Sequence, residues 1–191
     1  KIMLEAGWDN KRDIQLTCCG EPLPKDLALK LKERGTTLYN MYGPTENTIY
    51  ASYAKLTNIK HDITIGKPFP NTSIYVLDGD QKPLPVGIPG ELFIGGEGIA
   101  AGYLADQQLT NTKFLSLPDL DPVAKKFFKT GDIGYYNEEG NIIFLGRKDN
   151  QIKIRGLRIE LGEIEYNLRN IRDSKGAAVI VRDDTTTGIK T

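Results

Sequence analysis

Histidine is nearly absent: His61 is the only one in 191 residues, and no serine, cysteine or second histidine is arranged with it. His61 therefore reads as a surface residue in a linker. Cysteine is equally scarce. Cys18 and Cys19 are neighbours in sequence, a poor start for a structural disulfide, and they lack partners with metal-ligand spacing. A reduced, cytoplasmic setting follows. Charge of one sign is also missing, because Lys+Arg and Asp+Glu are both 25. No basic stripe points to nucleic acid and no acidic run to a disordered tail. No apolar run approaches the ~20 residues of a membrane-spanning helix. Trp8, the single tryptophan, reads as core or interface packing. No internal repeat and no low-complexity segment is present. What remains is 39% hydrophobic and 26% charged, a composition that can bury a core. The first residue is Lys1 and the last, Thr191, lies in a polar stretch, so the expectation is a piece of something longer.

Glycine and proline divide the chain. Leu23 to Arg34 reads as a helix: Pro24 sits at the first turn, Leu23, Leu27 and Leu31 form one stripe, and Gly35 suits the stop. An apolar stretch from Thr37 to Met41 then delivers a turn, Tyr42-Gly43-Pro44, at the end of a predicted strand. In open α/β sheets ligands sit at that end. From about Gly66 to Gly146 short β-runs alternate with Gly and Pro. Ser73–Asp78, Glu91–Ile94 and Asn141–Leu145 are the clearest strands, with a turn at Asn137-Glu138-Glu139-Gly140. This spacing suggests a small barrel or curved sheet. Beyond Asp149, Gln151–Arg155 alternates like a strand, Leu161, Ile164, Leu168 and Ile171 mark an amphipathic helix, and Ala177–Val181 reads as another strand. A βαβ-like unit is expected to begin here without closing a sheet. The fold class is thus mixed α/β, with residues 1–148 ending a larger body and 149–191 beginning a smaller one.

Four segments carry the candidate chemistry. Asn40-Met41-Tyr42-Gly43-Pro44-Thr45-Glu46 joins a Gly-Pro turn to an aromatic face, a hydroxyl and a carboxylate. That set suits a nucleotide: Tyr42 for a base, Thr45 for a phosphate, Glu46 for Mg²⁺, which prefers oxygen ligands. A hairpin turn with an exposed glutamate fits the same residues. The segment from Gly90 to Leu104 places glycines on both sides of a strand, a pattern that packing alone also explains. Lys129-Thr130-Gly131-Asp132 puts a carboxylate in a turn, where it can accept from two ribose hydroxyls or simply face solvent. The segment from Gly146 to Glu165 is a basic hairpin leading into a helix.

In this order the four segments resemble core motifs of the adenylate-forming superfamily, which includes acyl-CoA synthetases, luciferases and peptide-synthetase adenylation domains. Asn-x-Tyr-Gly-Pro-Thr-Glu and the stretch Gly20-Glu21-Pro22-Leu23 look most like the adenylation domains of nonribosomal peptide synthetases. The resemblance runs from the first residues to about Val181.

The resemblance implies an enzyme that joins a carboxylate to ATP, releasing pyrophosphate. The acyl group then passes to the phosphopantetheine thiol of a carrier protein, with condensation or tailoring domains as neighbours. Gly20, Glu21 and Pro22 would line the adenine pocket, Asn40 would hydrogen-bond the base, and Tyr42 would stack on it beside Gly43. Thr45 would touch the α-phosphate, Glu46 would bind Mg²⁺, and Asp132 would hold the ribose with help from Arg147. Asp149 would be the hinge of a rotating C-terminal subdomain, and Lys153 and Gly156 would lie on a hairpin facing the pantetheine. Thr17, Cys19, Met41, Ile49 and Tyr50 would line the side-chain pocket, which looks apolar and shallow and suits a small or medium uncharged substrate.

The resemblance also implies parts that these residues do not contain: a Ser/Thr/Gly-rich phosphate loop with its lysine, an aspartate for the substrate amino group, and a late catalytic lysine. The expectation is that the 191 residues alone do not adenylate an amino acid. An acyl-CoA or aryl-acid ligase of the same superfamily, or a non-catalytic pseudo-adenylation scaffold, are the competing readings.

Overall fold

The computed structural model describes residues 2–9, 14–59, 62–124, 126–149, 151–154, 157–171 and 176–182; His61, Arg155 and Gly156 lie outside them. The chain divides into two compact units, Lys1–Gly146 and Arg147–Thr191.

The first unit begins with a short helix α1 (Ile2–Glu5) and a strand β1 (Gln15–Cys18). Pro24 takes φ −63° and ψ 138° at the entry to α2 (Lys25–Glu33), a cap position where a missing N–H costs nothing. The helix stops at Gly35, whose φ of +73° suits a residue without Cβ. The predicted helix is thus present, two residues shorter at its start, where Pro24 is extended, and one shorter at its end. Leu23, Ala28 and Leu31 are buried with Leu38, Ala54 and Leu56, and Trp8, Leu16 and Leu27 pack against them. Trp8 is a packing residue, as its sequence context suggests, and its carbonyl accepts from the Arg34 guanidinium.

The strands β2 (Thr37–Tyr42), β3 (Ser52–Lys55), β4 (Thr64–Pro68), β5 (Thr72–Leu77) and β6 (Gly90–Gly96) follow. After them come a helix α3 (Gln107–Lys113) and strands β7 (Phe114–Leu115), β8 (Phe127–Tyr136) and β9 (Ile142–Arg147). One nine-stranded sheet runs in the order β1-β2-β3-β4-β9-β8-β6-β5, with β7 beside β8. The β1–β2 pair is parallel, and the other ladders among the described residues are antiparallel. Among those residues no ladder joins β4 to β5, so the segment expected as a barrel or curved sheet forms an open path. Its core is Ile65, Ile74, Val76, Leu92, Ile94 and Ile142 with Ala51. The turn at Asn137–Gly140 is present: Gly140 N–H donates to Asn137 O at 2.9 Å.

Lys129-Thr130-Gly131-Asp132 is not a turn. It lies inside β8, at a register shift against β6 where Glu91 pairs with Ile133 but Phe93 pairs with Lys129. The extra residues of β8 bulge, and Gly131 (φ +79°) absorbs the bend. The bulge is bonded from within: Thr130 Oγ1 donates to Leu92 O at 2.7 Å, Gly131 N–H to Glu91 Oε1 at 3.1 Å, and Asp132 N–H to Thr130 Oγ1 at 2.9 Å.

The second unit holds β10 (Gln151–Ile154), β11 (Leu157–Glu160) and α4 (Leu161–Arg169). The strands form an antiparallel hairpin with Lys153 opposite Arg158, so the unit opens as ββα rather than βαβ. Ala177–Val181 is not a strand. Its backbone bonds to α4 instead: Val179 N–H donates to Glu165 Oε1 at 3.0 Å, and Ala177 O accepts from Arg169 at 3.2 Å. With those groups satisfied by side chains, a third ladder does not form.

Candidate nucleotide site

The site is built at one end of the parallel pair. Register aligns Thr17 with Tyr39 and Cys18 with Asn40, so the loop after β1 (Cys19-Gly20-Glu21-Pro22) and the loop after β2 (Gly43 onward) leave the sheet side by side. Tyr50 Oη donates to Cys19 Sγ at 3.4 Å across them. Burial sorts the strand faces. Leu38 and Asn40 point into the core beneath α2, and Asn40 Nδ2 donates to Thr64 O at 2.9 Å, tying β2 to β4. Thr17 and Met41 share the opposite, more open face, since parallel partners point the same way. Ile49 and Tyr50 are exposed, at 63% and 37%. Of the five expected side-chain-pocket residues, Thr17 and Met41 thus lie on this strand face, and Cys19, Ile49 and Tyr50 lie in the two adjoining loops.

Gly43 is required by close approach rather than by its φ. A Cβ there would stand 2.3 Å from Ile49 O and 2.6 Å from Tyr50 Cα. The turn folds back on itself, and Ala51 N–H donates to Tyr42 O at 2.7 Å. Residues Thr45–Asn47 then make one 3-10 turn after Pro44. Thr45 is exposed, whereas Glu46 is only 5% exposed. A hairpin turn with an exposed glutamate is therefore excluded.

Two buried carboxylates define the chemistry. Asp132, 6% exposed, accepts from Tyr42 Oη at 2.5 Å; it is not a surface aspartate. Glu46 accepts from Tyr103 Oη, also at 2.5 Å. Both lengths are those of a charge-assisted O–H···O⁻ bond. The Tyr42 ring is 6.2 Å from that of Phe144 and packs on the sheet core. Sequence reasoning does not single out Tyr103; it stands 57 residues from Glu46, and no local spacing links the two. The glycines of β6 serve packing: a Cβ on Gly95 would meet the Phe127 ring at 2.6 Å, and one on Gly96 would meet Asn71 O at 2.1 Å.

Titration behaviour follows the surroundings. Burial, then the neighbouring Cys19, pushes the Cys18 thiol above its ordinary pKa. The hydrogen bond to Cys19, then its charge, raises the Tyr50 phenol. In the second unit the Arg147 guanidinium grips Asp149 with both ends, Nε to Oδ1 and Nη2 to Oδ2, each at 2.7 Å. Asp149 Oδ1 also accepts from Gln151 N–H at 3.2 Å, so the expected hinge residue is bonded on both sides. Arg147, Asp149 and Lys153 all lie in this unit.

A family model described as AMP-binding enzyme matches residues 4–104. The chain belongs to the AMP-binding enzyme family. Among its relatives is a dimodular nonribosomal peptide synthase of Bacillus subtilis (strain 168), 42% identical over 91% of this chain. The match spans 7% of that protein, so the chain corresponds to a small share of the relative's length. Holo-PA1221, a nonribosomal peptide synthetase protein containing adenylation and PCP domains, superposes with a TM-score of 0.84 and 31% identity, covering 92% of this chain and 31% of that one. Holo-AB3403, a four-domain nonribosomal peptide synthetase bound to AMP and glycine, gives a TM-score of 0.73 and 41% identity over 99% of this chain and 14% of the other. The AMP-binding family model covers β1, β2, the 3-10 turn and Tyr103. Asp132 falls beyond it but reaches into it through Tyr42.

Proposed function

We propose that this chain is part of an amino-acid-activating adenylation domain of a nonribosomal peptide synthetase. In this reading it contributes to forming an aminoacyl-adenylate from ATP and to loading it as a thioester on a carrier domain's phosphopantetheine. The observation that carries the reading is the pair of tyrosine-clamped buried carboxylates, Glu46 in the turn after β2 and Asp132 in the β8 bulge, the latter held by Tyr42 at the end of β2. Burying two carboxylates is costly unless ligands or donors use them, and a scaffold has no need of the expense.

The residues divide the task by chemistry. Gly20, Glu21 and Pro22 would line the adenine pocket, with Asn40 hydrogen-bonding the base and Tyr42 stacking on it. Thr45, exposed at the turn, would donate to the α-phosphate. Asp132 would accept from the ribose hydroxyls. The donor set around Glu46 suits Mg²⁺, since that ion takes one or two protein carboxylates and completes its shell with water and substrate phosphate. The ion would supply charge neutralisation between two reacting anions, the substrate carboxylate and the α-phosphate. The protein's share is alignment and fixed dipoles. Residues 1–148 would form the end of the larger subdomain and 149–191 the hinge and start of the smaller one, with Lys153 turned toward the pantetheine in the thioester-forming pose. The Cys19–Tyr50 contact supports a shallow pocket for a small or medium uncharged amino acid.

Calorimetric titration of ATP with Mg²⁺ into the full-length protein, with and without Glu46→Ala and Asp132→Ala, tests this. Asp132→Ala is expected to weaken ATP at all Mg²⁺ concentrations, and Glu46→Ala to abolish the Mg²⁺-dependent part. Equal Mg·ATP affinity in all three proteins would leave the scaffold reading standing.

A further inference from the structure

Glu46 is gripped from a segment far away in sequence. Ala100 N–H donates to Glu46 O at 2.9 Å, and Thr48 Oγ1 donates to Gly98 O at 2.8 Å. Gly98 lies so close to Asn47 that a Cβ there would stand 3.0 Å from Asn47 Oδ1. Thr48 itself has φ 63° and ψ −75°, a conformation that is sparsely populated for any residue and strained for a β-branched one. Such strain persists only where the surroundings over-determine it, and it concentrates at working sites. The segment 96–103 is thus clasped to the 3-10 turn at backbone level, and Tyr103 Oη completes the clasp on the carboxylate.

Tyr103 is itself immobilised. Its N–H donates to Thr110 Oγ1 at 2.9 Å, and that hydroxyl donates on to Asp106 O at 2.8 Å. Its ring meets Phe114 edge-on at 5.4 Å, and Phe114 in turn packs on Phe128 at 5.2 Å. Lys126 Nζ pins the intervening loop by donating to Ala101 O at 2.8 Å. A phenol held at backbone and ring delivers its proton to one place. A glutamate has three side-chain torsions, and one fixed oxygen restricts them all.

We propose that Tyr103 is a positioning residue for Glu46, setting its carboxylate to receive the divalent cation that nucleotide phosphates carry. This rests on the reading of Glu46 as that cation's ligand. Ligating carboxylates are commonly held by hydrogen bonds from residues that never touch the metal, and losing such a bond costs about 10- to 100-fold in metal affinity or activity.

The test uses Mn²⁺ as the probe, followed by electron paramagnetic resonance in the full-length protein with α,β-methylene-ATP present. Tyr103→Phe keeps the ring contact with Phe114 and removes only the donor. It is expected to weaken Mn²⁺ about 10-fold while leaving metal-free binding of the analogue unchanged. Glu46→Gln is expected to weaken Mn²⁺ at least as much. Phe114→Leu keeps the hydroxyl and the backbone hold on Tyr103; it is expected to lower the melting temperature and to weaken Mn²⁺ clearly less than Tyr103→Phe does. Wild-type Mn²⁺ affinity in Tyr103→Phe alongside weakened affinity in Glu46→Gln would overturn the positioning role and leave the reading of Glu46 intact. Wild-type affinity in Glu46→Gln would remove that reading and the inference together. A Phe114→Leu loss equal to that of Tyr103→Phe would assign the effect to packing and overturn the proposal.

Discussion

Removing the Tyr42 hydroxyl should cost stability through Asp132. In Tyr42→Phe the ring keeps its place against Phe144 and the sheet core, so no cavity forms and the change is confined to one donor. Asp132 is 6% exposed and loses a 2.5 Å charge-assisted bond. Hydrogen bonds to charged groups contribute about 1.5–3 kcal/mol. Asp132 keeps other interactions, among them the bonded bulge around its own N–H, so the lower end, about 1.5 kcal/mol, is expected. Asp132→Asn can still accept from Tyr42 but without the charge, and about 1 kcal/mol is expected for it. The decisive quantity is the coupling. Urea unfolding followed by Trp8 fluorescence gives each midpoint, and linear extrapolation gives the free energies. The double variant should be less destabilised than the sum of the single ones by about 1 kcal/mol, since the bond can be lost only once. Additivity within about 0.3 kcal/mol would show that the two groups do not share a bond that matters, and the clamped-carboxylate argument would fail.

The other predictions use the same turn and the far side of the sheet. Gly43→Ala puts a Cβ onto the backbone of Ile49 and Tyr50, so the turn must shift. A loss of about 1–3 kcal/mol is expected in the urea assay, with faster alkylation of Cys19 as the Tyr50 contact opens; an unchanged midpoint would refute the close approach. Cys19 is exposed while Cys18 is half-buried with its thiol pushed up, so iodoacetamide at pH 8 should modify Cys19 first by mass spectrometry, and the reverse order would contradict the β1 face assignment. Tyr136 donates to Ile74 O at 2.8 Å, and burial pushes its phenol up to about 12. Its folded pKa exceeds the unfolded value near 10, so between pH 10 and 12 the unfolded chain binds fewer protons and stability falls as pH rises. The loss is at most about 2 kcal/mol once partial solvent screening is allowed for. Tyr136→Phe should flatten this slope, and an unchanged slope would place the titration elsewhere.

The features legible in the sequence are those that local rules control. Helix α2 is visible because Pro24, the leucine stripe and Gly35 all act within a few residues. Strand β2 and its turn are visible for the same reason, and with them Tyr42, Gly43 and Glu46. Asp132 stands out as a residue, but its setting does not: Thr-Gly-Asp reads as a turn until Glu91, forty residues away, receives the Gly131 N–H and makes it a strand bulge. The hairpin β10–β11 is half visible, because Leu157-Arg158-Ile159-Glu160 alternates as a strand does but runs straight into α4. Ala177–Val181 has the apolar run of a strand without a partner ladder, and β-propensity without pairing decides nothing. Tyr103 is illegible altogether. A tyrosine after Gly102 has no periodicity or neighbour that points to a carboxylate, and the pairing forms because the segment after β6 folds back onto the turn at Glu46, where Ala100 N–H donates to Glu46 O and Phe114 meets the Tyr103 ring edge-on. A buried carboxylate in a sequence-local motif therefore calls for a donor, and the donor's identity belongs to topology: once Glu46 is accepted as buried, some hydroxyl, amide or cation from another strand must reach it, and β6 with its following loop is the element folded back to supply it.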